Sequence, residues 1–266
     1  ADEVSEENFD EVFDGTGMVA MPGMTDAHVH MGCLFAKGEF PVDYATVLTV
    51  AKCKDALMAG FTTFRDAGSV SEGLKLAFDE GVLPGPRFYP CGAYISQTCG
   101  HGDSEYAHTY RDIQYRHPSS TVLVDGVPEI IRAVREQFYR GASHIKLMAT
   151  EILNRHEDIR FLFGTDMMIT GPDYQVEQSE DIRYYEKRFG TMRALRALTG
   201  TANEVFALTT YQNPYPKGKI GVLEAGSYAD LLLVDGDPTK SVSVLADTDH
   251  LRLIMKGGTV YKNTLC

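Results

Sequence analysis

The chain has no tryptophan, and only five cysteines among 266 residues. Cys33, Cys53, Cys91, Cys99 and Cys266 are odd in number and scattered without a CxxC pair, which argues against a disulfide framework and a structural zinc knot. Cys99, close to His101, stays open as a ligand or nucleophile beside the plainer reading of a small loop cysteine. Basic runs are also missing: 25 Lys and Arg face 37 Asp and Glu, a net charge of −12. Nucleic acids and anionic membranes need basic patches, so neither is the expected partner. No apolar run approaches the roughly 20 residues that cross a bilayer, and the acidic start Ala1–Asn8 does not read as a signal peptide. The expected location is cytoplasmic. There is no internal repeat and no low-complexity segment. Hydrophobic content of 44% and charged content of 23% are those of a globular chain with ample core for one large domain or two modest ones.

What is present is more specific. In Met21-Pro-Gly-Met-Thr-Asp-Ala-His-Val-His-Met31, His28 and His30 are spaced to share one face of a strand, since alternate strand residues point the same way. The apolar run before them and Gly32 after them place the pair at a strand's C-terminal end, where parallel β/α barrels carry their chemistry. Imidazole suits Zn, Fe, Ni or Cu, so the pair is a candidate half-site for a metal. On these residues alone, two histidines that pack or face solvent explain the pattern equally well.

Residues 43–59 have helical periodicity and stop at Gly60. Strands are expected at 24–30, 61–66, 87–95, 144–149 and 160–165, and helices at 71–80 and 128–140, with three helical pieces from about 180 to 208. Short apolar strands alternating with helices predict a parallel sheet with crossover helices. From Lys217 the texture changes to strands and tight turns. Residues 217–266 read as a small β-domain, sharing a sheet with residues 1–22, around an α/β domain over 23–216. The polar loop from Ser96 to Ser120 is long enough to carry function and holds Cys99, His101, Asp103, His108 and His117.

The MPGMTDAHVHM and GFTTFRDAG segments, His144-Ile-Lys146, the FGTD stretch ending at Asp166 and the late GSYADLLLVDGDP segment occur in the order that resembles the metal-dependent amidohydrolase superfamily. The likeness is greatest to imidazolonepropionase-like enzymes and the Xaa-Pro or Xaa-Arg dipeptidases. It implies a TIM-like (β/α)8 barrel with a β-sandwich built from both chain ends, and one or two divalent ions, zinc by default, at the barrel's C-terminal face. It further implies His28 and His30 as metal ligands, Lys146 as a lysine carboxylated by CO2 that bridges metals, and Asp166 as metal ligand and proton shuttle. His101 falls where such enzymes contact substrate, and Tyr94 is a pocket-lining candidate. Without the resemblance, Lys146 reads as a snorkelling lysine at a strand end, Asp166 as a turn or helix-cap residue, and Tyr94 as aromatic packing.

The implied function is metal-assisted hydrolysis of an amide or peptide-type C–N bond in a small or dipeptide substrate, by a chain expected to form a homo-oligomer. Cyclic amidine deamination or lactone opening are alternatives on the same site, and so is a non-catalytic remnant. That last reading arises because only five βα units can be counted. A βαβ unit takes about 30 residues or more, so roughly three units, with two further histidines, lack counterparts after Thr150. A segment missing there from a longer chain, a deleted gene product and a minimal variant of the fold each fit. An open remnant would expose strand edges, which favours the first.

Overall fold

Met24–His30 is buried along nearly its whole length, as a strand covered on both faces must be. In chain order the elements are β1 (Val19–Pro22), β2 (Met24–His30), α1 (Val42–Met58), β3 (Phe61–Asp66), α2 (Glu72–Asp79), β4 (Arg87–Tyr89), β5 (Tyr94–Ser96), β6 (Thr121–Leu123), α3 (Val127–Tyr139), β7 (Met167–Met168), α4 (Tyr174–Phe189), α5 (Thr191–Leu198), α6 (Gly200–Phe206), β8 (Leu231–Val234), β9 (Leu251–Lys256) and β10 (Thr259–Asn263). The computed structural model describes residues 11–31, 42–68, 72–98, 100, 102–103, 121–148, 162–168 and 174–265.

The central sheet runs β4-β3-β2-β7, with every pairing parallel. A parallel β5–β6 pair lies beyond it, and one parallel bridge, Ile95 to Leu147, attaches residues 146–148 to β5. This is the α/β arrangement of a TIM-like fold. Among the described residues the strands do not close into a barrel, and the junction after Thr150 lies outside them.

Three expected strands take other forms. The 87–95 strand is split into β4 and β5, because Pro90 cannot donate to a ladder and Gly92 turns the backbone at φ +69°. The 144–149 strand contracts to the single bridge at Leu147. Residues 162–166 are not a regular strand, although Phe163 accepts from the Ala27 amide at 2.8 Å and the Asp166 amide donates to His28 O at 2.9 Å. Regular pairing with β2 begins only at β7.

The apolar faces explain the layering. Ala45, Cys53, Ala56 and Leu57 on α1, with Leu74 and Phe78 on α2, cover Phe61, Phe64 and Phe88 of the sheet in one core cluster. Thr49 on α1 donates its hydroxyl to Met31 O at 2.9 Å, fastening the helix to the residue that follows His30.

β1, β8, β9 and β10 form an antiparallel sheet in that order, with Val19 opposite Val234. Its Leu232, Val234, Leu251 and Ile254 belong to the same core cluster as the parallel strands. No second antiparallel sheet faces it among the described residues. A buried ion pair between Arg87 on β4 and Asp230, just before β8, crosses between the two sheets. The Arg87 guanidinium lies 4.3 Å from the Tyr228 ring centre. Among the described residues, no helix is long and apolar enough to cross a membrane.

Candidate metal centre

Period two along β2 puts Asp26, His28 and His30 on one face. Parallel pairing of β2 with β7 then brings in the residue just before β7. Asp166 Oδ1 lies 3.1 Å from His28 Nε2 and 3.3 Å from His30 Nε2. Lys146 Nζ lies 3.2 Å from the same His28 nitrogen. Asp166 stands at φ +55°, one of two non-glycine residues with positive φ among those described. Its side chain is 74% exposed, whereas that of His30 is 7% exposed. The cluster therefore has a buried floor and an open mouth.

His28 Nε2 cannot satisfy both neighbours as a simple hydrogen-bonding atom. Neutral with its lone pair outward, it accepts from Lys146 and repels the carboxylate; protonated, it does the reverse. Burial, with the Lys146 charge next, pushes the His28 imidazole down to about 4 against the pull of Asp166, which favours the neutral ring; with its proton on Nδ1 that ring presents the Nε2 lone pair to the cluster. Two ligands bound tetrahedrally at about 2.1 Å sit ~3.4 Å apart, close to the observed spacings. His28, His30 and Asp166 each offer an atom within 4.8 Å of the others. The donor set of two imidazoles, a carboxylate and an adjacent amine fits a divalent cation such as zinc.

Glycine makes the approach possible. A Cβ on Gly164 would sit 2.8 Å from His28 Cβ, so the segment carrying Asp166 can lie against β2 only with no side chain there. Below these side chains, Asp26 is fully buried. It accepts from the His28 amide at 3.1 Å, the Thr165 amide at 3.3 Å, the Thr165 hydroxyl at 2.8 Å and Gln178 Nε2 at 3.1 Å. Burial pushes its carboxyl up to about 7 against these bonds.

Tyr94 is edge-on to His30, with ring centres 6.5 Å apart. His101, His108, His117, His156 and Cys99 lie outside the described residues. Two polar residues here were given no role from sequence: Asp26, although it continues the His28–His30 period, and His144. His144 is pushed down to about 3 by burial, with the Arg65 charge next. A cavity of about 370 Å³ is lined by Arg65, Tyr89, Ser143, His144 and the segment 205–212. Arg65 donates Nε–H to Ala27 O at 2.9 Å, and its charge acts on His28.

The sequence profile of the amidohydrolase family matches residues 19–158, more than half of the chain. The chain belongs to the amidohydrolase family. Among curated relatives, ochratoxinase of Aspergillus niger is 32% identical over 164 residues, covering 54% of this chain and 34% of that protein. The chain thus matches about a third of the length of that relative. A solved amidohydrolase superposes with a TM-score of 0.83 at 22% identity, covering 100% of this chain and 91% of the other. A prolidase complexed with N-methylphosphonate-L-proline gives 0.81 at 22% identity, covering 98% and 91%. The ochratoxinase crystal structure gives 0.71 at 20% identity, covering 92% and 83%. These structural likenesses establish a shared fold.

Proposed function

We propose that the chain is a metal-dependent hydrolase that cleaves an amide or peptide-type C–N bond of a small substrate. The observation that carries this reading is the convergence of His28 Nε2, His30 Nε2 and Asp166 Oδ1 on one point beside Lys146 Nζ. In the same reading, the parallel strands belong to an eight-stranded barrel, and the sheet of both chain ends is one half of a sandwich.

His28 and His30 would hold the ion, with Asp166 at the open side. A divalent cation held there would supply Lewis acidity, lowering the pKa of a coordinated water towards about 7. Asp166, the most exposed ligand, takes the proton from the attacking water and hands it to the departing amine. Lys146, once neutral, can add CO2 to form a carbamate with loss of a proton, turning its amine into an oxygen ligand. The cavity beside Arg65 and His144 accommodates the substrate's other end. Arg65 gives it a guanidinium suited to a carboxylate, as in a dipeptide or an N-acyl amino acid. Tyr94 and His101 are proposed to contact substrate.

The test is metal analysis of the purified protein, followed by an amine-release assay of the zinc-loaded protein on dipeptides and N-acyl amino acids. One or two bound divalent ions are expected, lost in a His28→Ala/His30→Ala double variant, with kcat lowered about 10²–10⁴-fold in Asp166→Asn. Full activity in metal-free protein overturns the reading. Cyclic amidines and lactones in the same panel distinguish the other reactions this site could run. A donor set that fills one metal site favours a second reading, metal binding without turnover. Loaded protein inert on every substrate would select it.

A further inference from the structure

We propose that Asp26 is a positioning residue, which sets the distance between the two histidines and Asp166 by gripping Thr165 and Gln178. The proposal rests on the metal-centre reading of His28, His30 and Asp166 and deepens it.

Three segments remote in sequence meet at this one carboxylate. Its Oδ1 accepts from the amides of His28 and Thr165, and its Oδ2 accepts from the Thr165 hydroxyl and the Gln178 amide nitrogen. Thr165 is therefore held at both its backbone and its side chain, immediately before Asp166. The Asp166 amide is in turn tied to His28 O at 2.9 Å. Between these two restraints the backbone of Asp166 is driven to φ +55°, and its carboxylate is brought to 3.1 and 3.3 Å from the imidazoles.

Stability does not call for this arrangement. A carboxylate without solvent exposure costs several kcal/mol to desolvate, and no Lys or Arg pairs with it among the described residues; an apolar cluster replacing Asp26 together with the side chains of Thr165 and Gln178 would avoid that cost. What the carboxylate adds is directional bonds to β2, to the 162–166 segment and to α4 at once. Metal sites tolerate errors of only about 0.2 Å in ligand distance. A device that fixes ligand spacing from behind is therefore worth its desolvation.

The test uses the full chain with Co²⁺ as the probe, because the visible absorption of bound Co²⁺ reports coordination geometry. Thr165→Val removes the hydroxyl without changing shape, Asp26→Asn turns one acceptor oxygen into a donor facing other donors, and Thr165→Ser restores the hydroxyl. Expected are a 10–100-fold loss of Co²⁺ affinity in the first two, an altered absorption band, and recovery of both in Thr165→Ser. A purely structural role would lower the unfolding midpoint but leave affinity and spectrum unmoved in the folded variants; that result overturns the proposal. Should Asp26→Asn fail to fold, the Thr165 pair alone decides. A wild-type chain that takes up no Co²⁺ overturns the metal-centre reading itself, and this proposal with it. That failure is distinct from unchanged binding in the variants.

Discussion

Asp166 combines an exposed carboxylate with a left-handed backbone, a conformation that costs an alanine about 1–2 kcal/mol and a glycine almost nothing. Two substitutions that both remove the carboxylate should therefore part company. Asp166→Gly is expected to unfold at a higher urea concentration than Asp166→Ala, by about 1 kcal/mol in metal-free protein. Equal midpoints would mean that the positive φ is not held. Gly164→Ala is expected to act on the site itself. Its Cβ would meet His28 Cβ at 2.8 Å, and neither atom is the yielding end of a long side chain. Calorimetric zinc titration should show weakened binding. Of these residues, His28 and His30 were legible from their spacing as sharing one strand face, which left metal binding and plain packing equally open, and Asp26 lay on the same period. Thr165 and Gln178 were not legible, because they reach Asp26 from 139 and 152 residues away and nothing local marks either one.

Among the elements, α4 meets the 3₁₀ turn at Val242–Ala246 through an apolar contact around Ile182 and through the hydrogen bonds of one side chain, Glu186. Glu186 accepts from the Thr191 and Ser241 hydroxyls, each at 2.9 Å, and from the amides of Val242 and Ser243, each at 3.1 Å. The Ser243 hydroxyl also donates to it. Burial raises this carboxyl, but the bonds outweigh burial and bring it from 4.5 down to about 2. A depressed acid stabilises the fold above its unfolded pKa, and that contribution is lost as pH falls towards the folded value. Because solvent screens this partly exposed carboxylate, Glu186→Gln should cost only about 1 kcal/mol near pH 7. The gap from wild type should close between about pH 4.5 and pH 2, as followed by thermal unfolding across pH. The boundaries of α1, β2 and β3 were legible in the sequence because periodicity and apolar runs act locally. The split at Pro90–Gly92 was readable in principle from those two residues. The loss of regular strand at 144–149 and 160–165 was not, since it depends on which neighbours are there to pair with.

Across the whole molecule, the parallel and antiparallel sheets are joined by Arg87 and Asp230, 5% and 1% exposed. The Gly257 amide also donates to Asp230, at 2.8 Å. Buried Lys256 donates to Gly85 O nearby, and burial, with the Arg87 charge next, pushes its ammonium down to about 8. Removing one partner of such a pair strands the other without a counter-charge. Asp230→Ala is expected to lose about 3–5 kcal/mol in denaturant titration. The paired change Arg87→Met/Asp230→Leu should lose much less. An Asp230→Ala variant as stable as wild type would contradict the account. That the two chain ends share a sheet was legible from the change of texture at Lys217. The ion pair was not, because its halves lie 143 residues apart.

The pairing of β2 with β7 also fixes when the site can exist during synthesis. His28 and His30 leave the ribosome before Thr165, which Asp26 must await across 139 residues. Closing so long a loop is entropically costly and slow. Until then the two imidazoles stand without the Asp166 carboxylate that lies 3.1 and 3.3 Å from them in the folded chain. The proposed metal site can select among ions only once Asp166 joins the two histidines.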